Sequence, residues 1–402
     1  MIKARQAIKI EEAFNKLLES KKDLGEIHIH VDNSLNYVVS RNIYAPLSIP
    51  SFRRSMYDGY AIRKEDDEGF PKSFKVVGEL PCGEVFSGNL ERNQAVRIMT
   101  GAKVPDDAGK VIMLEYTEPS KEQDEVVILR THATDNINPI GSDFFTGDKI
   151  LEKGDEVNAG TISLLRAFGI ETVPVFRKPK VAVLSTGTEL LSLGEPIQDG
   201  KIYDSNRPLL EQLVREHNGE LIYSGQLPDQ KDSIEKTLSS LAQEADIIVT
   251  TGGVSVGDFD FMAEVVEGHQ LLFNKIQMRP GSPTSAAWAG DTLLMALSGN
   301  PGACFIGFHL FIKPYIRHLM QCQQVERRAT AVLQTDYLKE NAFDRILRAQ
   351  HSFNESGQLC VTPVGSDQSS SLGNLHQTTC FVKIPGGEEG KRQGDYVDVW
   401  ML

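Results

Sequence analysis

The sequence predicts a multidomain α/β plus β protein with a doubly wound α/β domain at its centre. Its length of 402 residues exceeds one ordinary domain of roughly 100–200 residues. From about residue 179 to 325, short apolar segments alternate with helical ones, which is typical of a largely parallel sheet covered by helices. On both sides of this region, Val- and Ile-rich runs are separated by Gly, Pro, Asn and Asp. The flanking modules should therefore be rich in β-strands.

The N-terminal part of the chain should combine helices with a β-rich module. One amphipathic helix is predicted from apolar side chains at helical spacing, with Gly25 as a stop; these positions are Ala7, Ile10, Phe14, Leu17 and Leu18. Between about residues 27 and 150 the runs FKVVGEL, AVRIM, KVIMLEY and EVVILR predict strands. Within 151–178, the run TISLLRAFGI predicts a second helix.

The centre of the chain supplies the alternation that defines the α/β domain. The segments KVAVLSTG, ELIYSG, DIIVTTGG and LLFNKIQM predict strands, and segments such as RPLLEQLVREHNG and SIEKTLSSLAQEA predict the helices between them. Asn206, just before Arg207 and Pro208, is a predicted N-cap, because its side chain can accept an orphan backbone N–H. After about residue 325, the runs RATAVLQ, LCVTPV and DYVDVW predict a small β domain.

Composition excludes several classes of protein. The net charge is −13, so no overall field attracts nucleic acid or anionic lipid, and a small anionic ligand would need a specific local site. No apolar run reaches the roughly 18–20 residues that span a bilayer, and the N-terminal segment lacks a signal-peptide pattern. The five cysteines are scattered without C-x-x-C spacing, which argues against a disulfide framework or a zinc site. A cytoplasmic location is expected.

Two loops at strand ends are candidates for binding an anion. In an open parallel sheet, ligands bind beyond the carboxyl ends of the strands, where loops and helix N-termini present free N–H groups. The loop at 250–258 and the turn at 298–303 follow such strands, and Thr186 and Gly187 follow a third. The candidate binding residues in the two loops are Gly252, Gly253, Ser255, Gly257, Ser298, Gly299, Asn300 and Pro301. Either loop alone is common in any α/β domain, so it is their combination that favours a site.

Acidic side chains follow strands at the same edge of the predicted sheet. They are Glu189, Asp229 and Asp260, with Asp258 nearby. Acids around an anion would repel it unless a divalent cation lay between them, and carboxylate oxygens suit Mg²⁺. The sequence therefore favours a Mg²⁺ site among these acids. The alternative is that each acid is a solvated loop charge or a helix cap.

Cations and one further acid complete the candidate site. Lys275 and Arg279 lie four residues apart around a strand end, where Lys can act as a point charge and Arg as a bidentate clamp on an oxyanion. The alternative is a pair of surface cations. In the β-rich region, Asp58 lies in SMYDGYA and Thr100 in RIMTGA. For Asp58 the simpler interpretation is an Asp-Gly turn in which the carboxylate binds its own backbone.

Five segments in order resemble those of the MoeA-like molybdopterin molybdenumtransferases, a family that includes the E domain of gephyrin. They are SMYDGYA, RIMTGA, VAVLSTGTEL followed by IYDSN, TTGGVSVGDFDF, and LSGNPGA. The resemblance implies a homodimer whose subunits have four domains. These are a linker domain at 1–48 and 141–178, an inserted β-rich domain at 49–140, a molybdopterin-binding α/β domain at 179–325 and a C-terminal β domain at 326–402.

The resemblance also implies an activity and its residues. The expected reaction is Mg²⁺-dependent insertion of molybdate into adenylylated molybdopterin with release of AMP, and the molybdopterin adenylyltransferase and molybdoenzymes are possible partners. The implied catalytic residues are Asp58, Thr100, Glu189, Asp229, Asp260, Lys275 and Arg279. The resemblance implies that Glu189, Asp229 and Asp260 hold the metal. Asp58 and Thr100 are expected to reach the partner subunit's α/β domain. Arg348 and Ser369 or Ser370 are further candidates for contact with an oxyanion.

Some residues depart from the family pattern. Arg279 stands where many relatives have Lys, and Ser282 where some have Lys. Asn138 and Ser142 replace an Arg and a Glu of the family segment Arg-x-x-Gly-Glu-Asp, and Gly109-Lys110 stands where relatives often read Ala-Asp. These departures leave open a second hypothesis, a non-catalytic or weakened paralogue that binds a pterin or nucleotide as a scaffold. A generic nucleotide or nucleotide-sugar hydrolase is a third, but it does not explain SMYDGYA and RIMTGA.

Overall fold

Three six-stranded sheets organise the part of the chain that the structure, a computed structural model, describes: residues 5–20, 22–227, 230–253, 261–387 and 389–402. The chain divides into two units. One comprises Met1–Arg41, Lys153–Ala159 and Thr172–Leu402, and the other Asn42–Glu152 and Gly160–Glu171. The four domain boundaries expected from the sequence stay predictions. Among the described residues, no helix is both long and apolar enough to cross a bilayer.

The larger unit begins with helix α1 (Ile10–Leu18) and strand β1 (Glu26–His30). The predicted helix is confirmed, although it begins three residues after Ala7. Glu11 and Glu12 occupy its first turn and Lys16 its last, which suits the helix dipole. Its buried side chains, Ile10, Ala13 and Leu17, join the core of the α/β domain.

The smaller unit is the predicted β-rich module. Its elements are β2 (Ile43–Tyr44), β3 (Arg54–Ser55), β4 (Gly59–Arg63), β5 (Lys72–Leu80), β6 (Gln94–Ile98), β7 (Ala108–Met113), β8 (Thr117–Pro119), β9 (Glu125–Ile128), β10 (Ile137–Asn138) and β11 (Lys149–Leu151), with most of helix α2 (Ala159–Ala167). The six-stranded sheet has the order β7-β4-β6-β5-β9-β8. Along β4 and β6, alternate residues enter two different cores, one with Ala61 and Val96 and the other with Ile62 and Ala95. Both faces of the sheet are therefore packed.

The rest of the larger unit starts with the α/β domain. Its elements are β12 (Thr172–Phe176), β13 (Lys180–Thr186), β14 (Leu190–Leu191), β15 (Ile202–Tyr203), α3 (Asn206–Glu216), β16 (Glu220–Leu227), α4 (Lys231–Leu241), β17 (Ile247–Thr251), α5 (Phe261–Glu267), β18 (Gln270–Phe273), β19 (Met278–Arg279), β20 (Ser285–Ala289), β21 (Thr292–Leu297), α6 (Pro301–Gly307), a π-helical segment (Phe308–Ile312) and α7 (Lys313–Leu319).

The predicted doubly wound sheet is confirmed. Its order is β16-β13-β17-β21-β20-β18, with parallel pairing from β16 to β21 and antiparallel pairing of β20 with β21 and β18. Along β13, Val181 and Val183 pack into the core that contains α1, α3 and α6, whereas Ala182 and Leu184 pack against α4 and α5. Because helices cover both faces, the central strands are apolar on both sides.

The helix begins where it was predicted, but the predicted role of Asn206 as its N-cap is wrong. Asn206 is already the first residue of α3, and its side chain binds elsewhere. The Arg207 amide instead donates to Asp204 Oδ1 at 3.1 Å, and Asp204 Oδ2 also accepts a hydrogen bond from Ser185. Asp204 therefore both caps the helix and ties it to the end of β13.

The C-terminal strands close into a barrel-like sheet. They are β22 (Arg328–Leu333), β23 (Asp344–Phe353), β24 (Leu359–Pro363), β25 (Cys380–Ile384) and β26 (Tyr396–Met401). The order is β19-β23-β24-β22-β26-β25, and β23 also pairs with β25, so the five C-terminal strands form a ring. The predicted C-terminal β domain is confirmed. The short strand β19 adds to this ring from the α/β domain.

Candidate functional site

A cleft of about 1110 Å³ opens beyond the carboxyl ends of β13, β17 and β21 in the larger unit. Most of the loop residues predicted to bind an anion and described by the structure line it: Thr186, Gly187, Glu189, Gly252, Gly253, Arg279, Ser298, Gly299, Asn300 and Ser369. The C-terminal β domain contributes Arg345, Asp367, Gln368 and Ser370 to the opposite side. The site therefore involves two of the sequence-predicted domains rather than the α/β domain alone.

Glycine backbone forms the floor of this cleft. Gly252 has φ +93°, and a Cβ built there would lie 2.4 Å from the Thr186 carbonyl oxygen. A Cβ on Gly299 would lie 3.3 Å from the Gly252 Cα. The strand ends thus approach each other more closely than side chains would permit, and a ligand can reach the backbone directly. This is the arrangement that the glycine-rich loops predict.

Asn206 joins the two loops, a role that the sequence reasoning missed. Its Nδ2 donates to Thr251 Oγ1 at 3.0 Å and to the Gly299 carbonyl oxygen at 2.8 Å. Two buried oxygens, Asn206 Oδ1 and Thr186 Oγ1, have no hydrogen-bond partner among the described residues. Buried polar atoms are rarely left unpartnered, which is consistent with a ligand here. The sequence signal for this role is the segment IYDSN, whose last residue is Asn206.

Two arginines meet in the cleft through strand pairing. Arg279 on β19 stands in register with Arg345 on β23, and both line the cleft. Arg279 is exposed, and the Nε of Arg345 is buried without a partner among the described residues. Both guanidinium groups are suitable partners for an anion bound in the cleft.

Asp367 holds Arg345 in place. Its carboxylate accepts hydrogen bonds from Tyr337 at 2.7 Å, Lys339 at 2.9 Å and Arg345 at 2.6 Å. Burial alone would raise the pKa of Asp367, but the hydrogen bonds from Lys339, Tyr337 and Arg345 outweigh it and lower that pKa to about 2. Asp367 is therefore ionised under all ordinary conditions.

Replacing Asp367 by asparagine should destabilise the protein by about 1–3 kcal/mol near neutral pH, because charge-assisted hydrogen bonds are lost. The folded-state pKa is depressed from 3.8. The stabilisation by the carboxylate is thus complete above about pH 4 and disappears as the pH falls towards about 2. Urea unfolding of both proteins across this range measures it. If the difference in free energy of unfolding between the two proteins grew as the pH fell, this account would be contradicted.

Arg348 lies against the lining residues rather than in the lining itself. Its Nη2 donates to the carbonyl oxygens of Ser366 at 2.7 Å and Gln368 at 3.0 Å, while Nε and Nη1 are buried without partners among the described residues. Burial lowers the pKa of Arg348. A Cβ on Gly302 would lie 1.9 Å from Arg348 Nη1 and 2.9 Å from the Ser369 carbonyl oxygen, so a larger residue there would displace both. Arg348 thus supports the segment that carries Ser369.

Other predicted residues lie away from the cleft or outside the described chain. The Lys275 ammonium lies 5.9 Å from the centre of the Phe343 ring, and Lys275 is not among the described residues that line the cleft. Pro301 begins α6, next to the lining. Asp229, Ser255, Gly257 and Asp260 lie outside the described residues. The roles predicted for these residues stay predictions.

Asp58 and Thr100 meet in the smaller unit. Asp58 Oδ1 accepts hydrogen bonds from the Thr100 amide at 2.6 Å and hydroxyl at 2.7 Å. These bonds, first the amide and then the hydroxyl, lower the pKa of Asp58. In the Asp-Gly turn interpretation the carboxylate would bind its own backbone. This is wrong, because the carboxylate binds Thr100, 42 positions away. Both side chains are exposed, and no described residue donates to Oδ2, so this oxygen can accept a bond from outside the unit.

The fold and the cleft define a class of protein: doubly wound α/β proteins with a ligand cleft at the carboxyl edge of the sheet. Three family models match the chain: the MoeA N-terminal region (domain I and II) at 8–169, a probable molybdopterin binding domain at 182–318 and the MoeA C-terminal region (domain IV) at 330–402. The molybdopterin molybdenumtransferase of Bacillus subtilis is 38% identical over 412 residues, which cover 100% of this chain and 96% of that protein.

The protein of that name from Staphylococcus epidermidis is 36% identical over 408 residues, covering 99% of this chain and 96% of that protein. The crystal structure of the molybdopterin biosynthesis moeA protein from Pyrococcus horikoshii superposes with a TM-score of 0.84 at 29% identity, covering 99% of this chain and 100% of that one. The chain belongs to the MoeA family of molybdopterin molybdenumtransferases. It is a transferase of molybdenum cofactor biosynthesis with the four-domain MoeA architecture.

Proposed function

We propose that this protein inserts molybdenum from molybdate into adenylylated molybdopterin and releases AMP, with Mg²⁺ as the metal. The observation that carries the proposal is the cleft itself, where a glycine floor and two arginines surround space for a large anionic ligand. Such a ligand carries a phosphate chain, for which exposed backbone N–H groups and guanidinium groups are suitable partners.

The residues of the cleft favour charge stabilisation over covalent catalysis. Arg279 and Arg345 would neutralise the substrate phosphates or molybdate, and the loops at Gly252 and Gly299 would hold the ligand in place. The dithiolene sulfurs of the substrate would supply the ligands of the inserted molybdenum. Water or a molybdate oxygen would attack the phosphoanhydride and displace AMP, and the oxygens that the sulfurs replace on molybdenum would leave as water. The proposal therefore requires no protein nucleophile.

Glu189 fits a bound Mg²⁺. Its exposed carboxylate stands in the cleft, close to the Gly187 backbone, where a Cβ would lie 2.5 Å from Glu189 Oε2. Among the described residues no cluster of three or more His, Cys, Asp or Glu side chains could hold a metal. Mg²⁺ often binds through one or two carboxylates together with water and substrate phosphates, and a single glutamate suits that mode. When bound, Mg²⁺ would offset phosphate charge.

The variant Glu189→Gln should need a higher Mg²⁺ concentration for half-maximal activity, by about tenfold, because a neutral amide binds a hard cation more weakly than a carboxylate. Mg²⁺ titration of AMP release measures this shift. Glu195→Gln is the matched control, because Glu195 is another exposed glutamate between β13 and β15. It should leave the Mg²⁺ titration unchanged. Equal curves for Glu189→Gln and the parent protein would contradict a role in metal binding.

A homodimer is part of the proposal. The free Oδ2 of Asp58 and its exposed neighbours Met56 and Tyr57 make this surface suited to meet another chain. We infer that Asp58 and Thr100 of one subunit complete the cleft of the other. A cytoplasmic location, with the molybdopterin adenylyltransferase upstream and molybdoenzymes downstream, would follow from the same reaction.

The departures from the family pattern do not remove the features of the cleft. Arg279 keeps a cation there, and Ser282 also lines the cleft while its hydroxyl donates to the Ile276 carbonyl oxygen at 2.8 Å. Asn138 lies in the short strand β10, paired with Arg54. The scaffold hypothesis is not favoured, because full-length relatives at 36–38% identity are named as transferases.

Reconstitution tests the proposal directly. Purified protein is incubated with adenylylated molybdopterin, molybdate and Mg²⁺, and both AMP release and activation of a cofactor-free molybdoenzyme are measured. We expect both signals, and each should require Mg²⁺. Binding without AMP release would favour the scaffold hypothesis, whereas phosphate release from ordinary nucleotides would favour the hydrolase. Lack of activity where a known relative is active would refute the proposal.

A further inference from the structure

A second cavity, of about 250 Å³, lies in the larger unit where the end of α3 meets the π-helical segment, α7 and the last strands of the barrel. None of the residues that line it lines the cleft. We propose that this cavity binds a small inorganic oxyanion of the sulfate or phosphate type. The inference does not depend on the proposed reaction.

Several residues that line this cavity have buried polar atoms without partners in the part of the chain that the structure describes. Both ring nitrogens of His309, Nε2 of His217 and Nε1 of Trp400 are buried and have no hydrogen-bond partner among the described residues. A neutral imidazole always carries one N–H, so His309 must present an unsatisfied donor as well as an unsatisfied acceptor. Indole Nε1 can only donate. Buried donors without acceptors are rare in folded proteins, and an anion would supply the missing acceptors.

The charges around the cavity are mainly positive. Lys313 and Arg327 line it and form no ion pair within the described part of the chain, whereas Arg317 binds Glu156. On the acidic side, Glu326 is paired with Arg328, and Glu216 acts on Lys313 without reaching ion-pair distance. Lys313 and Arg327 thus have no ion-pair partner in the described part of the chain, and Glu216 offsets only part of their charge. Lys, Arg and indole N–H groups together suit a tetrahedral oxyanion, whereas a metal cation would be repelled.

The protonation of these groups agrees with this chemistry. Burial, together with the nearby charges of Lys313 and Arg317, lowers the pKa of His217 to about 4. Burial likewise lowers the pKa of His309 and of Lys313. The two imidazoles are neutral at pH 7 and can donate one hydrogen bond each. A bound oxyanion would offset the mutual repulsion of the cations.

The backbone at this place is unusual. His309 lies in the π-helical segment Phe308–Ile312, and Lys313 follows directly after it. Such segments are rare and occur often at functional sites. His309 is also packed edge-on against Phe305 and Phe381, with ring centroids 4.6 Å and 5.7 Å apart. The aromatic rings hold the imidazole in place beside the cavity.

The test uses the full-length protein with selectively labelled histidines. Sulfate or phosphate is titrated to about 10 mM, which would nearly saturate a site with a Kd of about 1 mM. Chloride at equal ionic strength is the control, and the ring nitrogen resonances of the histidines are recorded by NMR. We expect saturable shifts of His217 and His309. Lys313→Met should weaken binding about tenfold or more, because a charged partner is lost. Lys236→Met, an exposed cation on α4, should not.

Further variants separate this cavity from the cleft. The Arg279→Met protein should show the same saturable shifts of His217 and His309 as the parent protein, even if the substitution abolishes binding of anions in the cleft. His309→Phe, which removes the ring nitrogens, should weaken binding as measured by calorimetry. Unchanged histidine resonances in the parent protein, shifts that chloride reproduces, or equal affinity in Lys313→Met would each overturn the proposal. The titration of the parent protein can overturn the proposal without any variant. The test therefore remains valid if a variant fails to fold.

Discussion

Replacing Asp58 by asparagine lowers turnover by about two to three orders of magnitude while folding is retained, as expected when a carboxylate that holds a cation or moves a proton in the reaction becomes a neutral amide. The reason lies in its contacts: the amide oxygen of the substituted side chain can still accept both hydrogen bonds from Thr100, so the local structure survives. The substitution removes the negative charge at Oδ2, the oxygen that we propose faces the partner subunit. Single-turnover AMP release measures the loss.

Asp106→Asn is the matched control, since Asp106 is an exposed aspartate of the same unit that lies outside the proposed site. It should retain the parent turnover. Thermal unfolding of both variants should match that of the parent protein. Full activity in Asp58→Asn would contradict a catalytic role, and unfolding of the smaller unit would show that Asp58 is structural.

Gly59→Ala should destabilise the smaller unit by about 3 kcal/mol or more, the range that overpacking and backbone displacement produce. A Cβ at this position would lie 1.9 Å from the Ile112 carbonyl oxygen, and that atom belongs to the backbone of the neighbouring strand. β4 pairs with both β6 and β7, so moving it disturbs two ladders. Urea unfolding measures the loss, and activity should decline with it because Asp58 is adjacent.

Gly78→Ala provides the control within the same sheet. A Cβ there would meet only the Phe86 ring, at 3.6 Å, which is ordinary contact. This substitution should change the free energy of unfolding by less than about 1 kcal/mol. If the two glycine variants were equally stable, the close approach of β4 to β7 would not be a determinant of the fold.

Sequence patterns were sufficient for the features that depend on local order. The short apolar run of β13 and the loops that follow β13, β17 and β21 are set by neighbouring residues, so the sheet and the glycine floor could be predicted. The resemblance added the family and the number of domains. Arg279 could be predicted as a cation of the site because it follows a strand and precedes a Pro-Gly turn.

Features that depend on distant parts of the chain could not be predicted. Arg345 reaches the cleft only because β19 pairs with β23, and Asp58 meets Thr100 only because β4 pairs with β6. Asn206 looked like a helix cap, but tertiary contacts with Thr251 and Gly299 take up its amide. Hydrogen bonds of this kind depend on the folded structure, which no local pattern specifies.

Subunit mixing tests the central claim, a cleft completed by Asp58 of another chain. The Asp58→Asn protein and a double variant of the cleft, Glu189→Gln with Arg279→Met, should each have little activity. After unfolding and joint refolding in equal amounts, random pairing gives mixed dimers with one intact site, so about a quarter of parent AMP release should return. Recovery at that level would support a site shared between subunits. A mixture as inactive as its components would contradict it.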